Sequence, residues 1–494
     1  MGKTFSPGAW FDFGCAHASR KNCKSGVRKS SASVRPIGQT IVTSRKRCAM
    51  IVMKFGGATL QDVPSIRNVV QIVSERFQEN PILVISAMGK TTRRLLESAQ
   101  KACGGDTTSA SEILNTLFEF HEQTARTLVP HWEMTMGAQR VSQFISEIKK
   151  LVEGISVLGE LSPRTQDKML AYGELIASSI LVEVLSHLGI PAAWLDAREH
   201  VITDDRFTHA NPIREITEAK LKESILALVS KGMVPVIQGY IGATRNGATT
   251  TLGFEGSDFT AAIVGTALDV KEIQIWKDVP GVMTADPELV PEAYIVPEIS
   301  FAEMAELTYW GAKVLHPRAV WPAIEKNIPI RVLCTRAPKS PGTFISQAIP
   351  PCSFPIRSIA YKKPLTFVRA HSRFLSDTDI FWKLFESMDR YEIWPHFVSM
   401  GGSGILMGFQ SNPDQDHLMD IFSLFGNPQI FSNKASVSLV GISLSSHMPL
   451  ILKEIAKFPI EWIVHGVSTI NCTFIVDGET IPDLLPKLHR AFFS

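Results

Sequence analysis

The chain has 494 residues, 45% apolar and 20% charged, with a formal net charge of +2. That length allows two to four globular domains. Ten Lys or Arg against Asp12 alone sit in residues 1–49, which leaves a mildly acidic body; the overall charge is therefore no argument for nucleic-acid binding, which only the basic leader could carry, and no apolar run approaches the roughly 20 residues that span a bilayer.

Residues 1–49 are rich in Ser, Arg and Lys and poor in acids. The composition fits an organelle transit peptide, and equally a disordered leader or a mis-called start ahead of Met50 or Met53. The seven cysteines (15, 23, 48, 103, 334, 352, 472) form no CxxC pair and read as reduced thiols. A cytoplasmic location is expected, or a plastid if the leader is a transit peptide.

Ile51–Phe55 reads as a buried strand running into Gly56-Gly57, and Pro64 to about Gln78 as a helix with a first-turn proline. Pro81–Ala87 is a second buried strand that enters the loop Met88–Thr92. This βαβ order predicts a mainly parallel sheet with helices on both faces. Residues 110–188 read as mostly helical. Strands are then expected at 192–196, 234–238, 272–276 and 330–333, with helices at 213–229, 257–268, 301–310 and 317–326. Five prolines in 335–357 mark a boundary. Beyond it a βαββα order occurs twice: strands 359–369, 392–399 and 404–409 with helices 378–388 and 414–424, then strands 436–443, 460–465 and 471–476 with helices 447–457 and 481–492. The repeat suggests two small stacked α+β modules.

Four stretches could carry chemistry. Lys54-Phe-Gly-Gly57 places a lysine and a glycine pair at a strand end, where backbone N–H groups and a compact charge can meet phosphate. The hydroxyl-rich segment Gly247–Asp258 ends at a helix start, so Ser257 or Asp258 either caps that helix or faces phosphate. Trp276–Pro287 opens with Lys277 and Asp278 and contains two turn signals. Tyr309–Pro317 holds Lys313 after a helix end, and a His316 that reads as structural.

In order and spacing these stretches resemble the aspartate kinases of the amino acid kinase family. Seven family blocks are matched across residues 50–345: KFGG, VVSA with a nearby Thr, a helical GE, QG(F/Y)IG, TTTLGRGGSD, W(T)DVPG with DPR, and GAKVLHP. The resemblance implies a three-layer α/β/α kinase domain over 50–345, a Pro-rich linker over 346–357, and ACT-like modules over 358–432 and 433–494. It also implies transfer of a phosphoryl group from ATP, with Mg²⁺, to the side-chain carboxylate of L-aspartate. That reaction begins lysine, threonine and methionine biosynthesis. The acceptor is already ionised, so the work is charge neutralisation rather than base catalysis.

By the same resemblance, Lys54 and Asp258 are the catalytic pair. Ser86, Thr92, Glu174, Tyr240 and Ser257 face the amino acid, with Glu174 meeting its ammonium. Lys54, Gly56, Gly57, Lys277, Asp278 and Lys313 face ATP. The tail implies homodimers and feedback by lysine or threonine, with Ser372, Asp377 and Ser399 in the candidate effector loops. Three positions depart from the family. Its TLGRGGSD arginine, which clamps a substrate carboxylate, is Phe254 and the next glycine is Glu255; the DPR arginine is Glu288; and the KFGG hydroxyl is shifted by one position. A phenyl ring cannot replace a bidentate guanidinium, so Arg206 or Arg245 must supply the clamp, or aspartate affinity is low, or the substrate differs. Two alternatives stand beside this reading: a non-catalytic amino-acid sensor of the same fold, and a kinase for another acidic amino acid.

Overall fold

The computed structural model describes residues 48–312, 314–348, 355–371, 378–401, 404–410, 413–423, 428–442, 444–464 and 468–493. The expected leader lies almost wholly outside these residues, as do Lys313, Ser372 and Asp377.

The first two strands are β1 (Cys48–Phe55) and β2 (Pro81–Ile85), joined by α1 (Val63–Glu75). Asp62 caps α1 by accepting the Ser65 N–H at 2.8 Å, and a proline occupies its first turn. A helical layer follows: α2 (Thr91–Cys103), α3 (Thr107–Leu128), α4 (Met136–Leu158) and α5 (Pro163–His187). By length and composition α5 could cross a membrane, which the search for apolar runs did not register. Its most apolar window is 89% buried, so it is a core helix clad by its neighbours.

The alternation then resumes with β3 (Ala192–Leu195), α6 (Ala197–His200), β4 (Ile202–Thr203), α7 (Arg214–Val229), β5 (Val234–Gln238), β6 (Ile241–Thr244) and β7 (Thr249–Thr251). Next come α8 (Gly256–Leu268), β8 (Val270–Lys277), β9 (Glu298–Ser300), α9 (Phe301–Tyr309), α10 (Pro317–Glu325), β10 (Ile330–Cys334) and β11 (Thr343–Ser346). Eight strands form one sheet in the order β3-β5-β2-β1-β8-β10-β11-β9, parallel except for β10 with β11. Strands β4, β6 and β7 make a small separate sheet. The expected α/β/α kinase domain with a mainly parallel sheet is therefore present. Its central strands are buried on both faces, as near-continuous apolar runs require.

The tail is a single antiparallel sheet rather than two. Strands β12 (Ile356–His371), β13 (Phe397–Gly401), β14 (Gly404–Gln410), β15 (Gln429–Gly441), β16 (Trp462–Val464) and β17 (Asn471–Asp477) lie in the order β13-β14-β12-β15-β17-β16. The βαββα order holds in each half through α11 (Thr378–Arg390), α12 (Gln415–Phe422), α13 (Leu444–Ile455) and α14 (Ile481–Phe493). The long strands β12 and β15 pair with each other and fuse the halves, so the boundary expected at 432/433 falls inside β15. The strand expected at 392–399 starts only at Phe397. Glu392 is left-handed (φ 53°) in a helix-ending turn, and Pro395 follows.

The tail docks on the kinase domain through β12 and α14. Ile359 N–H donates to Thr284 O at 2.8 Å, Ser358 Oγ to Met283 O at 2.7 Å, and Thr284 Oγ1 meets His489 Nε2 at 2.9 Å. Ala285 and Val290 are buried among tail side chains. At the end of α9, Gly311 (φ 125°) approaches β12 so closely that a Cβ would lie 2.1 Å from Tyr361 O. Both the conformation and the contact require glycine. Gly311→Ala is expected to lower the thermal unfolding midpoint and to speed proteolysis at the β11–β12 connection. A limited-proteolysis time course beside a melting curve checks this, and unaltered rates and midpoint would contradict the contact.

Candidate functional site

The carboxyl ends of β1, β2, β5 and β8 lie side by side, the place where open parallel sheets bind ligands. Lys54 is at the end of β1, Ser86 just past β2, Gln238 at the end of β5 and Lys277 at the end of β8. The N-terminus of α8 brings Asp258 to the same edge.

Asp258 links the two lysines. Its Oδ1 is 2.6 Å from Lys54 Nζ and its Oδ2 is 3.7 Å from Lys277 Nζ, with all three side chains largely shielded from water. Burial pushes the Asp258 carboxyl up, but Lys54 and then Lys277 outweigh burial and hold it below the ordinary carboxylate range. Two lysines against one carboxylate leave surplus positive charge beside a helix N-terminus, which is an anion site. Lys277 also donates to the Val314 carbonyl. Neither Ser257 nor Asp258 caps α8. The cap position is Glu255, left-handed at φ 54°, with no side-chain capping bond, so Asp258 is free to meet the lysines.

The glycine pair lets two loops close on each other. A Cβ on Gly57 would lie 2.8 Å from Ala87 O, and Gly89 N–H donates to Gly57 O at 3.0 Å. Gly56 N–H reaches back to Trp276 O at 3.4 Å. Ser86 is half-buried and its N–H donates to Phe55 O at 3.2 Å.

Glu174, on α5, is the second buried acid. Gly173 makes its approach possible, since a Cβ there would sit 2.9 Å from Ala87 Cβ and 3.3 Å from Thr92 Oγ1. Glu174 Oε1 accepts the Ala87 N–H at 3.2 Å, while Oε2 is buried with no hydrogen-bond partner. Burial pushes this carboxyl up to about 8 against the opposing pulls of the Ala87 N–H and Lys54. A buried carboxyl oxygen without a partner is suited to an incoming ammonium group, whose charge would favour the ionised form. Tyr240 (φ 71°) packs against Gly256, its N–H donates to Thr260 Oγ1 at 3.0 Å, and burial pushes its phenol up to about 12. Ser257 is buried where a Cβ on Gly239 would lie 2.7 Å from its own Cβ.

Asp167 belongs to this cluster, and the motif search passed over it. It is fully buried on α5, two turns before Glu174. Its Oδ2 accepts the N–H groups of Thr208 (2.8 Å) and Thr251 (2.9 Å), and its Oδ1 accepts the Thr251 hydroxyl at 2.7 Å. It thereby pins the loop carrying Arg206 against β7, where Ala210 N–H also donates to Thr251 O at 2.9 Å. Its spacing of seven residues from Glu174, which puts both acids on one face of α5, was the available signal. The Arg206 side chain is 77% exposed with a loose 3.8 Å pairing to Asp204. Arg245 is exposed at the tip of the β6–β7 hairpin, five residues or roughly 15 Å of strand away from Tyr240. Of the two arginines, only Arg206 sits on a loop tied to the cluster.

Phe254 is 81% exposed, with its ring edge-on to His316 at 6.1 Å. Asp278 is exposed on the turn after β8. Glu288 is exposed and its N–H donates to Asp286 Oδ1 at 3.0 Å. Ser399 is exposed on β13, away from this cluster.

With this geometry in place, comparison with known proteins is specific. Residues 49–334 match the model of the amino acid kinase family. The chain is 31% identical to aspartokinase 1, chloroplastic, of Arabidopsis thaliana, over 95% of this chain and 86% of the relative. It is also similar to two crystal structures of Escherichia coli aspartokinase III. One is described as the complex with aspartate and ADP (R-state), with TM-score 0.77 and 27% identity. The other is described as the complex with lysine and aspartate (T-state), with TM-score 0.78 and 28% identity. Each comparison covers 90% of this chain and 100% of the other.

The Glu174 geometry sets a pH dependence. The folded chain holds a proton on Glu174 up to about 8, whereas the unfolded chain releases it near 4.5. Stability therefore falls as pH rises through that window, and the full cost is present above it. Glu174→Gln is expected to melt close to the wild-type midpoint at the low end of the window and above it at the high end. Parallel melting curves of the two proteins would contradict the burial.

Proposed function

The chain belongs to the aspartokinases of the amino acid kinase family, and from that premise we propose that it transfers the terminal phosphoryl group of ATP to the side-chain carboxylate of L-aspartate, giving ADP and 4-phospho-L-aspartate. The observation that carries the mechanism is the Lys54–Asp258–Lys277 cluster at the start of α8. Two anions must be brought together, and charge builds on the phosphoryl oxygens during transfer. Lys54 at the end of β1 neutralises that charge, Lys277 meets the nucleotide, and Asp258 keeps both ammonium groups aimed at the crevice. Gly56 and Gly57 let backbone approach the phosphates. Both Asp258 oxygens already face lysines, so a Mg²⁺ ion brought by the nucleotide would be held chiefly by the phosphates, where it would add to the charge neutralisation that Lys54 and Lys277 supply.

Glu174 Oε2 receives the substrate ammonium, with Ser86, Thr92, Tyr240 and Ser257 around it. The need for a partner at this buried oxygen supports an amino acid over a simple dicarboxylic acid. Retention of the whole lysine–aspartate cluster supports a catalyst over a sensor that has lost activity. Lys313 and Asp278 complete the nucleotide side by resemblance. The tail gives feedback control by lysine or threonine and pairs with a second copy. The exposed Val398 and Met400 on edge strand β13 support such pairing.

A coupled assay over several acidic amino acids tests this reading. Aspartate-dependent ADP release is expected, and Lys54→Met should lower kcat by about 10²–10³-fold, the range for removing one preorganised charge-stabilising group. No release with aspartate would sink the reading. Phe254→Arg should lower the aspartate KM; an unchanged KM would remove position 254 from the carboxylate site.

A further inference from the structure

Phe254 and Glu255, the pair that departs from the family pattern, make a contact of their own. We propose that Glu255 is a positioning residue for the nucleotide side of the site, its carboxylate holding segment 314–316 against the start of α8. This rests on the kinase reading above, and it assigns work to a residue outside the catalytic and binding set.

Glu255 Oε2 accepts the His316 backbone N–H at 2.5 Å. The Phe254 ring lies against the same histidine. His316 is itself fixed, because it caps α10 by accepting the Arg318 N–H at 3.2 Å and is followed by Pro317. From the other side, Lys277 donates to the Val314 carbonyl while pairing with Asp258. Segment 314–316 is thus gripped twice. One grip comes from the residue just before α8, and the other from a lysine bound to the third residue of α8. Loosening either would leave the loop free to move away from the phosphates.

The backbone of Glu255 supports a role for its side chain. At φ 54° it occupies a conformation that glycine adopts without strain and that costs a residue with a side chain. Glu255→Gly relieves that strain while deleting the contact, so folding is not expected to suffer. Glu255→Gln keeps an oxygen acceptor and drops the charge.

The test uses the full chain. Hydrogen exchange of the peptide spanning 311–318 should quicken in Glu255→Gly and return close to wild type in Glu255→Gln. In the coupled assay, Glu255→Gly should raise the ATP KM about tenfold, the scale of one charge-assisted hydrogen bond, with the aspartate KM moving far less. Unchanged exchange overturns the proposal. So does an unchanged or lowered ATP KM, the latter meaning that Glu255 repels the phosphates. If the wild type releases no ADP with aspartate, the kinase reading fails, and the exchange measurement still decides whether Glu255 holds the segment.

Discussion

The structure depends on one buried carboxylate between two ammonium groups. Asp258 is shielded from water, and stripping water from three charged groups costs several kcal/mol per ion in a protein interior, which mutual attraction repays only in part. A buried ion cluster of this kind is a poor source of stability. Its value is the surplus: Lys54 and Lys277 together exceed Asp258 by one positive charge, held where water cannot screen it. An incoming polyphosphate completes the balance. Surplus positive charge beside a helix N-terminus is how a site for an anion is built.

That constraint dictates the architecture. The two lysines come from distant parts of the sequence and meet only because β1 and β8 are parallel neighbours at the centre of the sheet. Parallel pairing puts both carboxyl ends on one edge, and helix α8, which leads into β8, delivers Asp258 there. Bare backbone does the rest. Gly57, Gly173 and Gly239 lie where a Cβ would come within 3 Å of a neighbouring atom, so each lets one wall of the crevice touch the next. Glu174 is a second buried acid with one oxygen unsatisfied, and burial favours its neutral form.

The chemistry was more legible in the sequence than the geometry. Lys54, Gly56, Gly57, Glu174, Asp258 and Lys277 lie in short blocks that resemble the family's, and the fold brings these blocks to one edge of the sheet. The parallel sheet followed from buried runs alternating with helices. What the sequence concealed was long-range. Strand order is invisible to local pattern, so the β1–β8 contact and the fusion of the tail through β12 and β15 could not be read from it. Asp167 escaped because its partners, two backbone N–H groups and the Thr251 hydroxyl, lie far off in the sequence and belong to no local motif. Helix caps misled at α8, where the residue at the cap, Glu255, uses its carboxylate on another loop.

The tail reaches the site along a short path. Thr284 bonds α14 through His489 and β12 through Ile359, and Ala285 and Val290 are embedded in the tail's own core. Lys277 lies seven residues before Thr284 on the same stretch of chain. Helix α9, which precedes segment 314–316, is tied to the tail by Glu303 with Arg357 and by Glu306 with Asn471. Both connections end near Lys277 and Val314; β1 and α5, which carry Lys54 and Glu174, are not touched by these bonds. The tail is therefore packed directly against the stretch of chain that runs on from Lys277 and against the helix that precedes the Val314 carbonyl.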